Sequence, residues 1–524
     1  MVICGVLLPA IRGHVAVFAT ESNDTGRSIV LRLIDRDFGQ PCHGIIRVTR
    51  RSDNEPVRLP SLISRGSGWY TTTPTAELVL PNEELLFEAV RGIETELARF
   101  VLDDGADLAD NTVTLRLSRF SNLRARGWRN GNTHLHVMDR SRVQAERYLR
   151  EVPVSDDLDL VYLSHLRRIP DETSYISNEI VEEGLTGDTF DRLSTETFLI
   201  RPGEEHRHNF GRGGEGFGHV MLLDIVRLIR PVSIGPGIMR QGTDGIPLQR
   251  GIRQAREDGA TVVWCHNALG FEDIPNWLAG TVHAQNIFDG GDRGSYKDTF
   301  YRYLNIGMRI PFSTGTDWFI DDFSRVYVPL KERLTSPAWL SQLREGRSFI
   351  TNGPLLEFTV DDHEIGDTLN LQSAADVQVV AKCTGRVDFG RLELVRNGEV
   401  IATASATAVG GHFETQMTEQ VLIDEPCWLA VRTMLDGEKN ELGMTLHAHT
   451  SPVYCDFAGE RPFDPTVALD LITEIREGIQ AIRVQAAFGN DEEMESVMRV
   501  YRNGLQVLQQ MIDQHTSQSV RLRN

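Results

Sequence analysis

The sequence predicts a multidomain chain of mixed α/β and β character: a central α/β domain, two flanking β-sandwich modules and a C-terminal helical hairpin. Three observations carry this. At 524 residues the chain is longer than one hydrophobic core organises. Between about 126 and 353, apolar runs of strand length alternate with amphipathic helical stretches. That alternation is the texture of a largely parallel sheet, which on closing would form a barrel. On either side, short alternating runs between turn residues take over, and two apolar stripes at helical spacing end the chain.

In chain order, residues 1–125 read as an N-terminal β-sandwich-like module, with strand runs at 28–34, 44–50, 76–80 and 111–117. No catalytic constellation falls there. The apolar start lacks a basic flank and is broken by Arg12, so a cleaved leader is not expected. Residues 126–355 form the α/β domain, with strands expected at 132–137, 159–165, 197–202, 218–224, 261–266, 282–288 and 310–316. Helices are expected at 140–151 and 247–257. Residues 356–458 return to β character, and Asn397-Gly398 between two strand-like runs is a specific hairpin signal. Residues 459–524 read as a helical hairpin, a packing or homo-oligomerisation element. Leu471, Ile475 and Ile482 mark one stripe, and Val497, Tyr501 and Leu508 the other. Asp464 and Asp491 would start the helices and Gly489 end the first.

The totals exclude some functions. A formal net charge of −20 argues against a general nucleic-acid binder, which needs clustered Lys and Arg. No run approaches the ~20 apolar residues of a membrane span. The six cysteines (4, 42, 265, 383, 427 and 455) are scattered, without zinc-knuckle or disulfide-framework spacing. The expectation is a cytoplasmic protein, with a periplasmic or secreted one as the alternative, acting on a small-molecule substrate.

The chemistry lies in short clusters that close the strand-like runs: Asn132-Thr133-His134-Leu135-His136, then Glu204-Glu205, His219, Cys265-His266 and Asp317. Strand alternation puts His134 and His136 on one face. Two imidazoles there, joined by carboxylates and histidines from other strand ends, are how a chain builds a polynuclear metal site. Any one of these histidines alone is as well explained by a hydrogen-bonded core position; the ordered set is what points to metal. His and carboxylate ligation suits Zn, Mn or Fe.

These ordered motifs resemble the PHP (polymerase and histidinol phosphatase) superfamily and, more closely, its CehA/McbA-type metallohydrolases. The resemblance covers residues 126–355 and, through the exit run 346–356, extends into the following β module. It implies a distorted (β/α)7 PHP-type barrel around divalent ions. By motif, His134 and His136 would join Glu205 and Asp317 around one ion, and Glu205 would bridge to a second completed by His219 and His266. Glu205 is preferred to Glu204 because the family's Pro-Gly-x-Glu pattern falls on Pro202-Gly203-Glu204-Glu205. Two departures matter. The family's Thr-Asp-His is Leu163-Ser164-His165 here, and its final Asp-x-His is Asp317-Trp318-Phe319. A third metal site is therefore expected to be lost, leaving two ions or one and releasing His165 for acid–base work, with His208 as a second candidate proton donor.

The resemblance implies a metal-dependent hydrolase that uses activated water to cleave a small ester, carbamate or amide. Phosphoesterase activity on the same centre is the first alternative. A non-catalytic binding protein on a PHP-like frame is the second.

Overall fold

Stretches with no polar face must be covered on both sides, and they form the middle of this molecule. The structure, a computed structural model, describes residues 26–523 except 107, 169–174, 211–215, 268–269, 292–293 and 436, with side chains as far as 517. The leader reading and Cys4 lie outside the described residues.

The central sheet contains β1 (Trp128–His136), β2 (Leu160–His165), β3 (Leu199–His208), β4 (Gly218–Leu223), β5 (Thr261–Cys265), β6 (Ala284–Asn286), β7 (Phe312–Ser313) and β8 (Asp317–Trp318). Every residue of β2, β4 and β5 is buried, which is why these strands read as continuous apolar runs rather than alternating ones. β1–β2, β2–β3, β5–β6, β6–β7 and β8–β1 pair in parallel. β4 runs antiparallel to both β3 and β5. The expected largely parallel sheet is thus a mixed one. The segment between β3 and β4 is too short for a crossover helix, so the chain turns back as a hairpin. The sheet curls into a half-barrel. Helices α1 (Arg142–Ser155), opened by a Ser141/Gln144 capping box, and α2 (Leu248–Glu257) pack against it.

The N-terminal module is a three-stranded and a five-stranded sheet that share one core, including Leu31, Leu33 and Leu115 from one and Val48 and Phe87 from the other. Buried charge ties it to the central domain. Arg65 meets Asp156 through two contacts of 2.6 and 2.8 Å, and Asp157 sits among Arg91, Arg119 and Arg124.

The second β region does not begin at a break. Strand Arg325–Pro329 pairs with β1 and with Phe349–Thr351, which in turn pairs with Ala448–Thr450. One backbone ladder therefore runs from the central sheet into the later β strands. A separate five-stranded sheet packs on them around Phe358, Val379 and Leu429. Asn397 and Gly398, at φ 52° and 99°, turn Arg391–Arg396 into Glu399–Ser405.

Helices α3 (Pro465–Gln485) and α4 (Asp491–Arg523) follow. The Asp464 carboxylate accepts from the amides of Thr466 and Val467 and caps α3, which ends short of Gly489. Both predicted stripes are used within the chain: Leu471, Ile475, Val497, Tyr501 and Leu508 join the central core. The turn between the helices docks by a paired contact, Ala487 N to Asp244 Oδ2 at 2.7 Å and Asp244 N to Ala487 O at 2.8 Å. Among the described residues, no helix is long and apolar enough to cross a membrane.

Candidate metal centre

Alternation along β1 places His134 and His136 together, both fully buried, while Thr133 faces the other way and donates to the Thr314 carbonyl. The same parity sorts β3. Glu205 and Arg207 lie on the face of the histidine pair, whereas Glu204 turns away to His206 and to the amide of Ile229. His219, the second residue of β4, lies opposite Arg207 and Cys265. Because β4 is antiparallel, its N-terminal end shares an edge with the C-terminal ends of β3 and β5. Asp317 starts β8 opposite Leu135. Gly315 is required beside it: a Cβ there would lie 2.6 Å from His134 Cβ.

Three overlapping groups result among the described residues: His134–His136–Glu205–Asp317 and Glu205–His219–His266, which share Glu205, and His134–Cys265–His266–Asp289. In the first, His134 Nε2 and His136 Nε2 are 3.0 Å apart, and His136 Nε2 is 3.0 Å from Glu205 Oε2. His134 Nε2 is 3.3 Å from Asp317 Oδ1. The tautomers decide what this means. His134 Nδ1 faces the Asp289 carboxylate at 2.8 Å, and His136 Nδ1 faces the Ser164 carbonyl at 3.0 Å. Both partners only accept, so each ring carries its proton on Nδ1. The two Nε2 lone pairs then point at each other and at two carboxylate oxygens. Four buried acceptors around one point require positive charge between them. A proton satisfies some of them; a divalent cation satisfies all four.

Electrostatics follow from this crowding. Burial opposes a charged His134, but Asp289 and Asp317 outweigh it and raise its pKa well above the usual imidazole value. Burial likewise opposes a charged Glu205, yet Arg207 and the two histidines hold it well below the usual carboxyl range. Burial raises Asp317, whose Oδ1 is buried without a hydrogen-bond partner. Burial and Arg207 push His219 well below the imidazole value. The donor set, the orphaned oxygen and the facing lone pairs fit a cation: the cluster could hold a metal ion.

Glu205 turns one oxygen to each of the two groups that share it. Oε2 meets the histidine pair, while Oε1 lies 3.8 Å from His219 Nδ1 and accepts from Arg207 Nη1 at 3.0 Å. His266, half-buried, is the most exposed member. Trp318 packs 5.1 Å from the His136 ring and 5.7 Å from Tyr175, forming an aromatic wall, whereas Trp264 and Trp277 are core.

The two proposed proton carriers fare differently. His165 ends β2 at the same sheet edge, with Nε2 3.2 Å from Glu182 and Nδ1 buried without a partner. Burial pushes its pKa down to about 4, so it is neutral at pH 7 and suited to accept a proton rather than to start as a donor. His208 lies on the opposite face of β3. Its ring nitrogens are both engaged, with Asp244 Oδ1 and the Ile246 carbonyl, each at 2.9 Å. That leaves it no atom for a leaving group, and its place is structural.

Asp289 was not among the expected residues. It follows β6, is fully inside, and contacts His134 and His266. Its signal was present, since 284–291 is another strand-like run closed by a carboxylate and two glycines. No protein-family model, no curated protein and no solved structure matches the chain.

Proposed function

We propose that this protein is a metal-dependent hydrolase of the PHP kind, close to the CehA/McbA-type branch, acting on a small ester, carbamate or amide. The observation that carries the reading is the pair of ligand groups sharing Glu205. His134, His136, Glu205 and Asp317 would hold one ion, and Glu205, His219 and His266 a second; Zn, Mn and Fe all suit the set. When bound, such ions lower the pKa of water from about 15.7 to about 7 and polarise a carbonyl or phosphoryl oxygen. These residues sit together on one edge of the half-barrel, and the mixed strand directions bring His219 to it.

The chain's own groups complete the site. Arg207 holds the Glu205 carboxylate ionised and oriented. Trp318 and Tyr175 offer ring faces to an apolar substituent. Neutral His165 can accept a proton or orient a donor on the substrate. Arg207 also favours the second reading, phosphoester hydrolysis, because a guanidinium suits an anionic phosphoryl group.

Elemental analysis of purified wild type beside His136→Ala tests this. About two equivalents of Zn, Mn or Fe, lost in the variant, are expected, with turnover of nitrophenyl esters or carbamates. Turnover of p-nitrophenyl phosphate alone, inhibited by phosphate, would favour the second reading. No metal, before or after reconstitution, would leave a binding protein. For His165→Gln, the expected result is a kcat lower by about 10²-fold or more with metal content unchanged. A kcat equal to wild type would remove His165 from the chemistry.

A further inference from the structure

We infer that Asp289 is a positioning residue that holds ligand rings of both proposed ion sites: His134 of the first through its side chain, and His266 of the second through its backbone. The inference rests on the metal-centre reading above and goes beyond it, since neither motif nor resemblance assigns Asp289 a part.

The contacts define the role. Asp289 Oδ2 lies 2.8 Å from His134 Nδ1, and the Asp289 carbonyl oxygen lies 3.0 Å from His266 Nδ1. Neither oxygen can donate, so both rings are fixed with the proton on Nδ1 and the lone pair on Nε2, the form in which imidazole ligates. The carboxylate is itself held. Asn286 Nδ2 donates to Asp289 Oδ2 at 2.8 Å, and the single Thr133 hydroxyl proton, directed at the Thr314 carbonyl at 2.8 Å, is shared with Asn286 Oδ1 at 3.2 Å. Thr133 neighbours His134 on β1. The loop Thr133–Asn286–Asp289–His134 therefore closes on itself and leaves the His134 ring little rotational freedom.

Space is reserved for this arrangement. A Cβ on Gly315 would lie 3.1 Å from Asp289 Oδ1, and one on Gly290 would lie 2.9 Å from Asp317 Oδ2. The two rings that Asp289 holds stack at 5.2 Å with an interplanar angle of 29°. Because one contact is made by the side chain and the other by the backbone, loss of the Asp289 carboxylate should weaken the ion held by His134 chiefly, while loss of His219 should weaken the other.

The test is a zinc titration of apoprotein against a competing chelator, with the absorption spectrum of the cobalt-substituted protein as a second readout. Wild type, Asp289→Ala, Asp289→Asn and His219→Ala are compared. Asp289→Ala removes the carboxylate from His134 but keeps the backbone carbonyl on His266, so it is expected to weaken one zinc equivalent by about 10- to 100-fold, to leave the other close to wild type, and to shift the cobalt bands. Asp289→Asn keeps an acceptor and the volume, so it should fall between and carry the test if the alanine variant does not fold. His219→Ala should weaken one equivalent only. Two ions bound by Asp289→Ala with wild-type affinity and spectrum would overturn the inference while leaving the metal centre intact. A wild-type protein that takes up no zinc would instead bring down the metal-centre reading itself, and this inference with it.

Discussion

Glu205→Gln is expected to lower hydrolysis by at least about 10³-fold, on the order of 4 kcal/mol of barrier, and to leave the protein with about one bound ion or none. Both proposed ion sites contain this carboxylate, so the single change removes an anionic oxygen from each. The reason for glutamine rather than alanine is instructive. Its amide can keep an oxygen toward Arg207 Nη1, now 3.0 Å from Oε1, and turn an N–H toward His136 Nε2, now 3.0 Å from Oε2. A donor would then occupy the place that otherwise calls for a cation. The variant should fold, and its melting temperature should respond less to chelator than that of wild type. Wild type should melt lower once its metal is stripped, because a ligand that binds only the folded state stabilises it by mass action. Metal analysis and melting with and without chelator check the prediction; a glutamine variant with two ions and wild-type turnover would refute it.

How far the sequence reveals this molecule depends on which physical signal each element carries. β2, β4 and β5 are legible as strands because burial on both faces leaves an uninterrupted apolar run. The same property hides their direction, and the reversal of β4 is not readable from it. The continuity of the central sheet with the later β strands is hidden for another reason. It depends on three-residue strands, Phe349–Thr351 and Ala448–Thr450, that lie far apart in the chain. Short pieces carry almost no periodicity.

At the site, the period-2 rule reads His134 with His136 and separates Glu205 from Glu204. Applied consistently, it also places His208 with Glu204 and His206, away from the centre, which is where the structure puts it. Asp289 is harder to read, because it follows a strand of only three residues and belongs to none of the motifs that drew attention to the others.

Arg65→Met is expected to cost about 3–5 kcal/mol of unfolding free energy, the penalty for stranding a buried charge. Arg65 and Asp156 are each fully enclosed, and their bidentate contact is what reconciles both charges with the interior. With the arginine gone, the Asp156 carboxylate has lost its counter-ion. The double variant Arg65→Met/Asp156→Leu should recover most of the loss, since an apolar pair of similar volume removes both desolvation costs. The backbone anchor of this corner, Arg325 Nη1 to the Asp156 carbonyl at 2.7 Å, survives in both variants. The next residue sets the pH dependence. Burial alone would raise the Asp157 pKa, but Arg91, Arg124 and Arg119 together hold it far below the usual carboxyl range. A carboxyl depressed on folding contributes stability that is complete above its unfolded pKa of about 3.9 and is lost as pH falls below it. Stability should therefore drop on acidification below about pH 4, and Asp157→Asn should be less stable at pH 7 yet flatter across that limb. Denaturant midpoints of the four proteins between neutral and acid pH decide the matter. If the double variant is as unstable as Arg65→Met, the corner is held by side-chain packing rather than by compensated charge.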